Sequence, residues 1–392
     1  MKDHSQFSSV FPKKHDQRSK SNQDISTHDD WSSAIAEVRF GLCLGEPIGL
    51  QDALELGAEA EKCGFDVVSV AENLFWWEPG FAPSWDNFIA LTTLANRTSR
   101  IKLMTTVIGP IKRHPVMIAH MAATLDQVSS GRLMLGIGAG EIANFAPLVD
   151  LAGTPPYRLF ARTKEFMAVL HGIWASTTES PFSFEGRYLH VEKAYLSLKP
   201  ATKPHPPIYL AALGPKMRQF TGQVANGWYP IGHTPETYTK HWQVVKASAE
   251  SAGRNPNEID RALGIYTAVL KDGEKAKEIA SILGRDELSC RPDLLRELGY
   301  SELALDHLAV DQRATPFEAG KVVSERIPRV LGERVTICGT PKEAIQQLEE
   351  FIQAGVRMFI FMPIYADSHV FRETIEHYRN TILPHFAKQA QR

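Results

Sequence analysis

Short apolar runs and longer amphipathic stretches alternate along this chain almost from end to end. Continuous apolar, β-branched runs occupy residues 38–44, 65–71, 101–108, 132–138, 208–212, 227–231, 261–270 and 356–362. Unbroken runs of this kind suit parallel strands covered on both faces. Helical periods lie between them. Residues 50–64 carry Ala53, Gly57, Ala60 and Gly64 on one face, small enough to lie close on a sheet. Further helices are predicted at 85–98, 157–176 with Phe166, Leu170, Ile173 and Trp174 inward, and 237–252. The helix at 115–128 starts on Pro115 and sets Met117, Met121, Leu125 and Val128 on one face, a spacing read as core packing. Thr340-Pro341-Lys342-Glu343 is a capping box with Pro at the first helical position, and Gly355 stops the helix that follows.

Two departures interrupt the alternation. Residues 182–191 alternate around Glu185-Gly186, which predicts an inserted β-hairpin. Residues 273–334 are helical but irregular, without a clear strand, and read as an insertion before the last unit. Eight strands separated by helices favour an α/β fold of the (β/α)8 TIM-barrel type over an open doubly wound sheet. The barrel domain is expected over 37–388, after a polar tail at 1–36.

Composition narrows the partners. Apolar residues make up 43% and charged residues 22%, and the formal net charge of -2 gives no electrostatic case for nucleic acid or an anionic membrane. A small-molecule partner is therefore expected. Cys43, Cys63, Cys290 and Cys338 lie far apart, with neither disulfide-framework nor zinc spacing, and read as reduced thiols of a cytoplasmic protein without a bound metal. No apolar run approaches the ~20 residues that span a bilayer. The tail lacks the apolar core of a secretory signal and reads as disordered or as a targeting extension.

Barrel active sites form at the carboxyl ends of the strands. Glu72, Thr106, Glu141, Gly214 and His233 fall at or just beyond such ends. The stretch SGRLMLGIGAGE, residues 130–141, runs from a buried strand into Gly136, Gly138 and Gly140 and then a carboxylate. Glycines there bare the backbone either to a flat ligand ring or to tight packing in a barrel neck. Their G-x-G-x-G spacing is not the dinucleotide fingerprint. Gly214-Pro215 opens a helix whose free amides would hold a phosphate, with Lys216 and Arg218 as possible helpers or plain solvated charges. The loop 74–84 carries Phe75, Trp76, Trp77 and Phe81, to cover a substrate or to pack on the rim. His233 joins these as a substrate-side candidate, with a structural role as its first reading, as for His114.

Several segments, taken in order, resemble the luciferase-like flavin and deazaflavin oxidoreductases: GFDVVSVAEN, RHPVMIAHMAATLDQVSSGRLMLGIGAGE, FSFEGRYLHVEKAYLSLKP, PPIYLAALGPKM and GTPKEAIQQLEEFIQAGVRMFIF. The resemblance covers roughly residues 38 to 385 and is nearest to the branch that uses coenzyme F420, of the methylenetetrahydromethanopterin reductase and phthiodiolone ketoreductase type. It implies a homodimeric TIM barrel and hydride transfer between F420 and a carbonyl, imine or alcohol. An FMN-dependent monooxygenase of the same fold is the alternative, and a non-catalytic cofactor-binding protein a third reading. By position it implies a non-prolyl cis peptide at Thr106-Val107 and cofactor contacts from Asn73, Thr105, Thr106, Val107, Gly138, Ala139, Gly140, Glu141, Ala212, Leu213, Gly214 and Pro215. Glu141 matches the family's active-site glutamate. Relatives often have Asp-His after the second strand, where this chain has Glu72-Asn73, and asparagine cannot shuttle a proton at neutral pH. Glu141 is therefore the first candidate for the proton and Glu72 the second.

Overall fold

The computed structural model describes residues 38–45, 48–74, 84–141, 144–145, 147–148, 150, 158–304 and 322–389. The polar tail at 1–36 and the aromatic residues Phe75, Trp76, Trp77 and Phe81 lie outside the described residues.

Eight parallel strands close into a barrel in the order β1 (Arg39–Leu44), β2 (Val67–Val70), β3 (Lys102–Thr105), β4 (Leu133–Gly138), β7 (Ile208–Ala211), β8 (Gly227–Trp228), β9 (Asp260–Val269) and β11 (Met358–Pro363), which pairs back to β1. The helices expected between them are present: α1 (Leu50–Lys62), α2 (Asn87–Arg97), α3 (Pro115–Val128), α4 (Leu159–Ala175), α5 (Pro215–Val224) and α6 (Pro235–Ser251). After β9 come α7 (Gly273–Ser289), α8 (Pro292–Glu297) and α9 (Arg329–Arg334), then α10 (Pro341–Gln353), and after β11, α11 (Ser368–His377) and α12 (Leu383–Gln389). The hairpin is β5 (Phe182–Glu185) against β6 (His190–Ala194), antiparallel as predicted.

Two details differ from the sequence reading. A further short strand, β10 (Ile337–Gly339), pairs in parallel with the end of β9 outside the ring. Three residues are too few to show a period, which is why it escaped the pattern. The buried face of α3 is also rotated: Ile118, Ala119, Ala122 and Leu125 are covered, while Met117 and Val128 are 55% and 45% exposed. Small residues on that face let α3 lie close to its neighbours; of the predicted stripe Leu125 is buried and Met121 packs against the core, while Met117 and Val128 face outward.

The barrel interior is filled by Val67, Met104, Met134, Tyr209, Tyr229, Ala262, Met358 and Ile360, with Cys43, Val107 and Ala211 packed above or beside them. A second apolar layer lies between the sheet and the helices and includes the inward Phe166, Leu170, Ile173 and Trp174 of α4. The capping box at the start of α10 is formed, the Glu343 carboxylate accepting from the Thr340 amide at 2.7 Å.

The β3–β4 ladder explains the glycine run. Regular pairing holds at Leu103 with Leu133 and Met104 with Met134, then breaks at a bulge containing the cis peptide Thr106-Val107. Inside the break the Thr105 hydroxyl accepts from the Gly136 amide at 2.9 Å and donates to the Gly136 carbonyl at 3.0 Å. Pairing resumes where Ile108 donates to the Gly136 carbonyl at 2.9 Å. A Cβ on Gly136 would sit 2.0 Å from the Thr105 carbonyl oxygen, and one on Gly138 would sit 2.8 Å from a Val107 methyl. These two glycines therefore make room for the bulge. Only Gly140 needs its own backbone freedom, at φ +95°. Gly136→Ala is expected to destabilise the barrel by about 3 kcal/mol, because the opposing atom is backbone and cannot rotate away. Chemical denaturation measures this, and unchanged stability would contradict so close an approach of the two strands.

Candidate active site

The carboxyl ends of the strands gather a polar mouth. Glu141 follows β4 and is exposed to solvent, yet protein surrounds it on most sides. This combination places the carboxylate in a concave opening. Desolvation by the surrounding protein pushes its pKa up, while a hydrogen bond from Asn144 and the charge of Lys112 oppose the rise. The Asn144 amide donates to Glu141 at 3.2 Å and to the Asn73 side-chain oxygen at 2.9 Å, and its own oxygen accepts from the Leu74 amide at 3.0 Å. One asparagine thus fixes Glu141 to the end of β2. Asn73 itself is anchored by its backbone amide donating to Ser84 at 2.8 Å.

Glu72 lies one residue earlier and in a different environment. Its side chain is 2% exposed and is paired with Lys112 at 3.1 Å and with Arg113, which also reaches Asp86. Lys112 donates to the Glu72 carbonyl as well, at 2.9 Å. Burial acts to raise the Glu72 pKa, but the Arg113 hydrogen bond and the two cations outweigh it and hold the carboxyl below its ordinary range. A carboxylate held ionised by two cations is poorly suited to give up a proton, so the geometry favours Glu72 as a fixed anion. Lys112, Arg113 and Asn144 were not singled out from the sequence. The signal for the first two was a Lys-Arg pair in the connection from β3 to α3, opposite a carboxylate at the end of β2.

Three small polar side chains line the inner wall. The Thr106 hydroxyl lies 3.2 Å from the Ser69 hydroxyl and 3.5 Å from the Cys43 sulfur. Thr106 and Val107 remain partly open to the mouth, whereas Thr105 is fully buried with its hydroxyl committed to Gly136. Thr105 is thus a strand-bridging residue and presents nothing to a ligand.

Gly138 pairs with Ala211, so the Gly138–Glu141 segment and the Leu213–Gly214 turn leave neighbouring strands side by side. Gly214 caps α5 without any side-chain hydrogen bond, Pro215 occupies the first helical position, and the space a Cβ would fill at Gly214 is open. The first-turn amides are free of side-chain capping, as a phosphate cradle requires. Ala212 is buried, its carbonyl accepting from the Trp228 indole at 3.0 Å, so it supports the turn from below. Lys216 is exposed, but Arg218 points inward and bonds the His241 ring.

His233 does not face the mouth. It is fully buried against Trp228, with one ring nitrogen 2.9 Å from the Ile231 carbonyl and the other 2.9 Å from His241. Burial and the nearby arginines drive its pKa well down, so it stays neutral. The structural reading of His233 holds. A groove elsewhere on the surface, lined by Glu236, Lys277, Arg334 and Glu343, has its charges paired internally through Lys277 with Glu343 and Arg334 with Glu236, both at 2.7 Å.

Comparison with known proteins adds a decisive observation. The family model for luciferase-like monooxygenases matches residues 9–358. The chain belongs to this family. Among its relatives, an F420-dependent glucose-6-phosphate dehydrogenase from Nakamurella multipartita is 29% identical, over 88% of this chain and 96% of that protein. A 5,10-methylenetetrahydromethanopterin reductase from Methanolobus tindarius is 28% identical, over 77% of this chain and 86% of its own length. The fold is shared with an F420-dependent secondary alcohol dehydrogenase solved with an F420-acetone adduct, at 24% identity and a TM-score of 0.71, covering 88% of this chain and 99% of that one. The barrel described above is thus a luciferase-like TIM barrel, the fold it shares with that structure.

Proposed function

We propose that this protein is an oxidoreductase that transfers a hydride between coenzyme F420 and a small organic carbonyl, imine or alcohol. The observation that carries the reading is the position of Glu141: a carboxyl open to the barrel mouth, fixed by Asn144 and Asn73, beside the uncapped start of α5. Its relatives named for F420 chemistry supply the choice of cofactor.

The residues present fit such a group. The α5 amides after Gly214 would hold its phosphate, the bare backbone from Gly138 to Gly140 would border its ring system, and the bulge at Thr106-Val107 would support the ring from the inner wall. When bound, the deazaflavin supplies the hydride. The chain does the remainder. Glu141 gives a proton to the oxygen or nitrogen of the substrate, or takes one in the oxidative direction, and desolvation by the surrounding protein raises its pKa toward the range useful for that exchange. Asn144 holds that carboxyl in one orientation. Glu72, pinned by Lys112 and Arg113, fixes the end of β2 and thereby Asn73.

Titration of the purified protein with F420 and with FMN tests the reading. F420 is expected to bind with a change in its fluorescence, and reduced F420 to be oxidised by at least one member of a panel of ketones, imines and pterins. Tight FMN binding with no F420 binding would overturn the reading in favour of a flavin monooxygenase of the same fold.

A further inference from the structure

Two side-chain amides stand between the end of β2 and Glu141, and the hydrogen bonds around them fix which way each one faces. The Leu74 backbone N–H can only donate, so the Asn144 atom 3.0 Å from it is the carbonyl oxygen. The other end of Asn144 is therefore its nitrogen. That nitrogen lies 3.2 Å from the Glu141 carboxylate and 2.9 Å from the Asn73 side chain, giving one of its two protons to each. A proton donated to Asn73 must meet its oxygen, which turns the Asn73 Nδ2 to the other side. Reversing Asn144 would set its nitrogen against the Leu74 N–H, and reversing Asn73 would set two donors against each other. The orientation is thus handed outward from the backbone.

Among the described residues nothing accepts from Asn73 Nδ2. Asn144 is 5% exposed, but Asn73 is only half-buried and follows a strand end at the mouth, so its spare donor is left to the opening. Ser84 holds the Asn73 backbone, and Lys112 and Arg113 hold the adjoining Glu72, which leaves this amide little freedom to turn away. The oxygens of Asn73 and Glu141 that share the Asn144 nitrogen lie no more than about 6 Å apart, close enough for one ligand atom to touch both residues.

We infer that Asn73 is a catalytic residue whose Nδ2 donates to the same substrate atom that Glu141 protonates, and that this atom is a carbonyl oxygen. The inference rests on the function proposed above and narrows its substrate to ketones or aldehydes and the alcohols they form. Lone pairs decide the class. A carbonyl oxygen has two, so it accepts from Asn73 while it takes the Glu141 proton, whereas an imine nitrogen has one and leaves Asn73 without an acceptor. A fixed donor at the oxygen where negative charge develops acts most strongly in the transition state. In reduction the hydride from the reduced cofactor adds to the carbonyl carbon, the π electron pair moves to oxygen, and the Glu141 proton joins that oxygen to give the alcohol. The cofactor leaves oxidised, Asn73 keeps both its protons, and Glu141 is left as a carboxylate that takes a proton from water.

Hydrogen exchange of the side-chain amides, read by NMR on asparagine-labelled protein without cofactor, tests the orientation. The Asn73 Nδ2 protons are expected to exchange within about threefold of the rate of free asparagine, and those of Asn144 at least about tenfold more slowly. Asn73 protons as slow as those of Asn144 overturn the inference. Turnover of ketones and imines of the same skeleton with reduced F420 tests the chemistry. The wild type is expected to favour the ketone by about tenfold or more in kcat/KM, and Asn73→Ala to lose about 10²-fold in kcat on the ketone but no more than about threefold on the imine. Asn144→Ala, which frees the Glu141 carboxyl to turn, is expected to slow both alike. An imine or pterin preferred by the wild type, or equal losses on both substrates in Asn73→Ala, overturns the inference. If exchange behaves as stated and nothing oxidises reduced F420, the oriented donor stands and the hydride-transfer reading falls.

Discussion

Glu141→Gln is expected to lower kcat by about 10²- to 10³-fold while F420 affinity stays within about threefold. Glutamine keeps the shape and can still accept the Asn144 hydrogen bond at the position where Glu141 now does so at 3.2 Å. What it loses is the exchangeable proton. The effect should therefore appear in kcat and kcat/KM together, the mark of an interaction made in the transition state. Stopped-flow oxidation of reduced F420 with an accepted substrate measures the loss, and fluorescence titration measures binding. If kcat stays within about twofold of wild type, Glu141 is a wall of the site and the proton comes from elsewhere.

Glu72→Ala should instead reduce stability, by about 3–5 kcal/mol, whether or not cofactor is bound. The side chains of Glu72 and Lys112 are 2% and 6% exposed, so the substitution strands a buried ammonium and leaves Arg113 with Asp86 alone. Removing one partner of a buried pair costs far more than the pair itself contributes. The pH dependence follows from the direction of the shift: the Glu72 pKa is lower folded than unfolded, so its stabilisation is fully present above the ordinary carboxylate range. It is lost as pH falls through the depressed folded value. Glu287 runs the other way, since its raised pKa makes its contribution most favourable in acid and lost as pH rises toward 7. Urea melts at pH 4, 6 and 8 separate the two. A Glu72→Ala protein as stable as wild type at pH 8 would show that the ion pairs are not buried as described.

The two variants also separate the two acids that the chain places after successive strands. Sequence alone ranked Glu141 above Glu72 by the family match, and the environments support that order for a physical reason. Glu141 meets one neutral amide and only the more distant charge of Lys112, whereas Glu72 is ion-paired to two cations. The aromatic loop, which sequence reading set against the substrate, lies outside the described residues and bears on neither prediction.

Local pattern was enough for the barrel. Each of its eight strands and the helices between them carries its own period, because burial on both faces of a strand or one face of a helix is written into consecutive residues. The resemblance placed the Thr106-Val107 cis peptide, which is present there, and singled out Glu141, whose carboxyl follows β4. Long-range geometry decided the rest. The pairing of Glu72 with Lys112 and Arg113 spans about forty residues, and no periodicity reports which charges a closed ring will bring together. The glycines of the β4 run were legible as a need for bare backbone, but only the opposing Thr105 carbonyl and Val107 methyl show that two of them answer to a neighbouring strand. His233 sat at a strand end and is nonetheless sealed under α6. Periodicity follows from the secondary structure a segment adopts alone, whereas charge environment and proton affinity are set by neighbours that the chain supplies from elsewhere.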